Sequence, residues 1–348
     1  MAHPKQIEHN KLMSVFYKDA RIKECLHPNQ AECKGAIKKT HSIQRNGRLS
    51  IMEGEVGGVN GIYSFLTNEY DWRGGLANLK LLGKGEASTF FGFCDYHDST
   101  LFSPIENFEF DGSDKHLFLH SYRAHAHSYY MKKGSINAYE KKSDYTKILP
   151  EENLDATIFS SKLGLKDMQS SKGMLDDMLL RESYSELEYF FHIVPRLHPV
   201  ACSASFSPRY SYSGEKLNTN PLAEYWSSIM LTVLPDISNQ SIIIMACLPH
   251  EDYSIKFIDS ISDLPNHKLE KAVSSIMIDY LENTFISPLL WNAFSRNEKN
   301  KLLLEIEQTA PHSLRRIFNK GFFNSFINFF DVKYQQNKLL QYKNRNHK

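Results

Sequence analysis

The feature that most constrains this chain is a set of soft metal-ligand side chains within its first hundred residues. Glu24-Cys25-Leu26-His27-Pro28 leads to Cys33 after seven intervening residues, and Gly92-Phe93-Cys94-Asp95-Tyr96-His97-Asp98 closes the stretch. The pattern is C-x7-C, an isolated His41, then C-x2-H. Thiolates and imidazole in this combination suit a tetrahedral zinc ion bound as Cys3His. The ligand set expected is Cys25, Cys33, Cys94 and His97, with His27 a competing candidate. The plainer alternative is a group of reduced cysteines packed in a core.

Of the five cysteines, the other two, Cys202 and Cys247, lie in apolar strand-like runs and read as inert core residues. An odd count without framework spacing argues against disulfides, and no signal-like segment opens the chain. No run approaches the roughly 18 apolar residues that a membrane-spanning helix needs. A soluble cytoplasmic protein with no membrane contact is therefore expected. The net charge of +1 gives no global basic field, but residues 1–48 hold ten Lys/Arg against four Asp/Glu, and residues 333–348 hold five Lys/Arg and no acid. Basic ends of this kind meet phosphates or simply face water.

The chain of 348 residues is long enough for two domains. A helix over 8–24, with Leu12, Phe16, Ala20 and Ile22 on one side, delivers the chain to Cys25. Residues 36–43 alternate as a strand carrying His41. Ten of the seventeen glycines fall between 46 and 92, which predicts turns and hairpins. A short helix is expected at the second ligand pair and a longer one over 114–133. On the latter, His116, His120, Arg123 and His127 share a face, which is read as solvated or as an interface, with a metal or phosphate site as the sharper alternative. The polar stretch 134–162 is the expected linker. Beyond it come a helix over 174–194, strands at 199–206, 225–234 and 241–248, and helices from 266, over 288–308 and over 312–330. The expected class is α+β. Residues 1–133 form a zinc-stapled domain, and residues 163–348 form a small antiparallel sheet packed with helices.

The order Cys pair, Thr40-His41-Ser42-Ile43, then Cys94-x2-His97-Asp98 resembles the zinc-containing HNH nucleases of the ββα-metal, treble-clef group. The resemblance covers residues 25–98. It implies that His41 is a general base, that Asp98 holds Mg2+ or Mn2+, and that DNA or RNA is the substrate. Lys38, Lys39, Arg45 and Arg48, which flank His41, would hold the phosphate backbone. The chain departs from the family pattern in its wider first pair, in His97 replacing a Cys, and in Asp98 standing where His or Asn is usual. Through His41-Ser42-Ile43-Gln44, Phe91–Asp98 and Glu282–Pro288, the whole chain also resembles a group of bacterial proteins with no assigned activity. Analogy with stand-alone HNH-like proteins makes phage defence the expected setting, and a protein partner or homo-oligomer is compatible with it.

Two other readings stand beside the nuclease. One is a non-catalytic zinc-finger module that binds nucleic acid or protein, with Asp98 only an N-cap. The other is a different enzyme with its site in residues 160–348, where Glu282, Asn283, Arg209, Tyr210, Tyr212 and Lys216 are the polar candidates.

Overall fold

In the computed structural model the described residues are 4–71, 75–141, 151–219, 225–308, 323 and 325–332. The fold mixes helices with antiparallel sheets, as the composition and periodicity predict. A first helix, α1 (Pro4–Ala20), leads to the loop of Cys25 and Cys33 and then to β1 (Ile37–His41). A π-helical turn over Arg45–Leu49 runs into the single turn α2 (Ser50–Met52). The glycine-rich segment forms the hairpins β2 (Gly54–Val56), β3 (Val59–Asp71) and β4 (Gly75–Leu82). The chain then returns as β5 (Thr89–Cys94), which pairs antiparallel with β1 and continues into α3 (Asp95–Leu101), α4 (Ser103–Asn107) and α5 (Asp114–Glu140).

The second half contains α6 (Glu151–Arg181), β6 (Glu188–Val194), β7 (Val200–Phe206), β8 (Ile229–Pro235) and β9 (Ser241–Cys247). These are followed by α7 (Asp252–Ser262), α8 (Asn266–Asp279), β10 (Thr284–Ile286), α9 (Pro288–Ala293) and α10 (Arg296–Gln308). Eight strands make one antiparallel sheet in the order β2-β3-β10-β7-β8-β9-β6, with β4 on β3. β1 and β5 form a separate two-stranded sheet. Every residue of β8 and β9 is buried, because both faces of the sheet are covered. On one face Leu231, Val233, Ile243 and Met245 pack with Phe257, Ile261, Val273 and Ile276 of α7 and α8. On the other, Met230 and Ala246 pack with α5 and with Leu175 and Met178 of α6. Each of the larger side chains among these, Val, Leu, Ile, Phe and Met, contributes about 1.5–3 kcal/mol through burial.

Several expectations are corrected. Residues 134–140 end α5 and residues 151–162 begin α6, so the expected linker is helical in its described part. The main sheet takes strands from both sides of that stretch, since β10 lies between β3 and β7. The helix expected to run on to Val194 stops at Arg181, and Glu188–Val194 is a strand paired with β9 along its whole length. The stripe His116, His120, Arg123 and His127 is buried rather than solvated, because α5 is enclosed by α1, α6, β5 and the main sheet. The segment 325–332 forms turns, although Phe329 and Phe330 join the core. Residues 309–322 and the basic end 333–348 lie outside the described residues.

Candidate metal centre

The β1–β5 pair and α3 bring the first and second ligand pairs together. Cys94 ends β5 and occupies the N-cap position of α3, which places His97 in the first helical turn. Cys25 and Cys33 approach from the loop after α1. Gly35 turns that loop at φ +76°, and a Cβ there would lie 2.8 Å from Asp95 Cβ. The docking is completed by main-chain bonds from Asp95 N–H to Ala36 O (3.0 Å) and from Tyr96 N–H to Lys34 O (3.2 Å).

The ligand atoms of Cys25, Cys33, Cys94 and His97 all lie within 4.8 Å of one another, so these four residues can hold a metal ion. His97 Nδ1 is 3.3 Å from Cys25 Sγ, 3.6 Å from Cys33 Sγ and 3.3 Å from Cys94 Sγ. A tetrahedral ion with metal–sulfur and metal–nitrogen bonds of about 2.3 and 2.0 Å has N···S edges of about 3.5 Å, so the spacing fits. The surroundings of Cys94 favour thiolate. Cys94 N–H points at Cys25 Sγ (3.4 Å). Burial tends to raise the Cys94 thiol, yet main-chain N–H groups of His97 and Lys34 and its hydrogen bonds with the other two thiols hold it below the ordinary value. Burial and the thiols of Cys25 and Cys94 push Cys33 up to about 12. Three thiols this close cannot all ionise unless a cation at their centre offsets the repulsion.

The supporting shell is local. Gln30 donates through Nε2 to the main-chain oxygens of Cys25 (2.8 Å) and His27, and accepts from the Cys33 thiol through Oε1 (3.5 Å). His27 lies flat on the His97 ring, with centroids 3.7 Å apart and an 11° interplanar angle. Its Nδ1 accepts from Asn29 N–H at 3.1 Å, so His27 buttresses a ligand and is outside the four-residue cluster.

His41 ends β1 on the same small sheet. Its Nδ1 lies 3.0 Å from Ala87 O, and a carbonyl can only accept, so the neutral ring carries its proton on Nδ1 and leaves Nε2 as the acceptor. Burial, with lesser contributions from Arg45 and Arg123, lowers its pKa to about 4. Asp98 sits in the first turn of α3 beside Thr40. Burial raises its carboxyl above the ordinary value. Both residues feel the same two charged groups, Glu106 and Arg123. Arg123 donates through Nη1 to His41 O (3.1 Å) and to Glu106 Oε1, and its guanidinium stacks 4.8 Å from the Phe102 ring centroid. Nothing in the sequence around Glu106 marks it as functional, and Arg123 stands out only as part of the α5 stripe. Their relation to His41 depends on α4 and α5 folding back over β1, which local spacing does not reveal.

The four basic residues expected to hold a phosphate backbone separate into two kinds. Lys38 and Lys39 are ion-paired with Asp95 and Glu86, and Arg45 is exposed. Arg48 is corrected: it is buried against Asp236 (3.6 Å), Gln44 Oε1 (3.1 Å) and Ile105 O (3.4 Å), and so is not part of an exposed basic rim. Of the candidates in the second half, Asn283 is buried and donates to Ser42 Oγ (2.9 Å) and Ser203 O (2.6 Å). It therefore locks the residue after His41 to β7, while Glu282, Arg209 and Lys216 are exposed. Tyr210 and Lys216 form an isolated bridge, and Tyr212 stacks on Phe323.

Among the described residues no helix is long and apolar enough to cross a membrane. Comparison with protein families, characterised proteins and solved structures finds no match.

Proposed function

We propose that the chain is a metal-dependent nuclease in which a zinc ion on Cys25, Cys33, Cys94 and His97 staples a treble-clef unit of β1, β5 and α3. The observation that carries the reading is the His41 tautomer. With Nδ1 tied to Ala87 O, a neutral ring at the end of a zinc-anchored hairpin keeps Nε2 to accept the proton of an attacking water. At neutral pH His41 is uncharged, as a base must be, and an approaching phosphate anion raises its basicity. A hard cation such as Mg2+ or Mn2+, held through Asp98, would stabilise charge on the leaving oxygen. Lys38, Lys39 and Arg45 supply the basic rim for DNA or RNA. In a bacterial cell such an activity fits phage defence.

The non-catalytic zinc module has its own support. His41 is half-buried, and Lys38 and Lys39 already have carboxylate partners. Incubation of the zinc-loaded chain with single- and double-stranded DNA and RNA, with Mg2+ or Mn2+, separates the two. The nuclease cleaves, and His41→Ala loses on the order of 10^2 to 10^4 in rate at unchanged zinc content. Binding with no cleavage under any of these conditions favours the module.

A further inference from the structure

Behind His41 lies a layer of buried cationic and imidazole side chains that the proposed chemistry does not use. The Arg48 and Arg123 side chains are 5% and 3% exposed and come from separate elements, the π-helical turn and α5. They lie within electrostatic reach of each other and of His120, which is also buried. Each retains a buried polar nitrogen without a hydrogen-bond partner: Nε of Arg48, Nε of Arg123 and Nε2 of His120. Native interiors rarely leave such groups unpaired, and guanidinium N–H groups least of all.

We infer that this layer is a binding site for an oxyanion, a phosphate group, and that the Glu106 carboxylate occupies its entrance in the structure described. Three arguments carry it. The orphaned nitrogens sit on three buried side chains that feel one another's charge and can donate, which suits a group with several acceptor oxygens better than a single water. Glu106 places a carboxylate oxygen on Arg123 Nη1, where a phosphate oxygen would sit, and its side chain is 31% exposed and can swing into water. Charge also balances. Asp236 stays on Arg48, so withdrawal of Glu106 leaves one positive charge that an incoming phosphate monoanion neutralises. Because Arg123 also holds His41 O, occupancy of the site is felt at the candidate base. The phosphate comes either from a nucleic-acid chain or from a free anion. Only the first source rests on the nuclease reading.

The test is isothermal titration of the full zinc-loaded chain with inorganic phosphate and, separately, with a 5′-phosphorylated dinucleotide. Glu106→Gln, which leaves Arg123 facing only a neutral acceptor, should bind at least about tenfold more tightly than the parent, because the competing carboxylate charge is removed. Adding Arg123→Lys to Glu106→Gln should reverse the gain. Arg48→Lys replaces it as the second change if that variant lacks the parent's circular dichroism or zinc content. Equal affinity for the two ligands assigns a free anion, and preference for the dinucleotide assigns a nucleic-acid phosphate. No tightening in Glu106→Gln, or tightening that survives the second substitution, overturns the site. Phosphate binding without cleavage of any nucleic acid keeps the site and removes the nuclease reading.

Discussion

Arg123 and His41 are joined by a hydrogen bond from Nη1 to the main-chain oxygen, 3.1 Å long and spanning 82 residues of sequence. The strand end that carries the candidate base is therefore fixed by the central helix of the fold. Arg123→Met removes this bond together with the Glu106 pair. Hydrogen bonds made by a charged donor are worth about 1.5–3 kcal/mol, and the loss should fall near the lower figure because Glu106 can rehydrate. Urea unfolding measures the change, and the imidazole nitrogen resonances of His41 should shift as its contact with Ala87 loosens. A variant with parental stability and unchanged His41 signals would show that Arg123 does not hold the strand.

The pair Arg48–Asp236 is buried on both sides, with each side chain 5% exposed. Arg48→Met alone strands a carboxylate and should cost about 3–5 kcal/mol, whereas Arg48→Met with Asp236→Leu should recover most of that loss. A double-mutant cycle by denaturant unfolding reads the difference, and additive losses would contradict the pairing.

Gly134 lies in the interior of α5, where alanine would ordinarily stabilise a helix by about 1 kcal/mol. Here a Cβ would run into the carbonyl oxygen of Ala20 at the end of α1. Gly134→Ala should therefore destabilise by about 1–3 kcal/mol as α1 is pushed off α5. A rise in melting temperature would refute the close crossing.

His127 is buried edge-on against Phe90, with centroids 5.3 Å apart, and burial lowers its pKa to about 4. The unfolded ring titrates near 6.5, so between these values the unfolded state binds the extra proton and stability falls as pH falls. Glu251 works in the opposite sense. Burial raises it to about 7, and its contribution is lost as pH rises from 4.5 through 7. The comparison of the parent with His127→Phe isolates the histidine. Between pH 6.5 and 4 the parent should lose stability more steeply, by at most about 1.4 kcal/mol per pH unit. Parallel curves would mean that the ring is free to protonate in the fold.

The contrast between what local spacing reveals and what it hides runs through these residues. Cys25, Cys33, Cys94 and His97 were legible because metal ligands announce themselves by type, and β8 and β9 because a fully buried strand is an unbroken apolar run. β6 is ambiguous in the sequence because Leu187, Phe190, Phe191 and Val194 also fit a helical stripe; only the pairing of Glu188–Val194 with β9 decides between the two. The α5 stripe reads as a solvated or interface face because most of its partners are remote: Glu106 and His41 O for Arg123, Phe90 for His127. Arg48 reads as a surface residue because nothing near it in sequence shows that Asp236 will meet it.

The four ligands must form one metal centre for β1, β5 and α3 to be stapled as proposed. Extended X-ray absorption at the zinc edge, on protein purified without added metal, examines this directly. The expected result is one zinc per chain with three sulfur scatterers at about 2.3 Å and one nitrogen at about 2.0 Å, and loss of a sulfur in Cys33→Ser. A chain that carries no metal, or a metal shell built of oxygen and nitrogen alone, would contradict it.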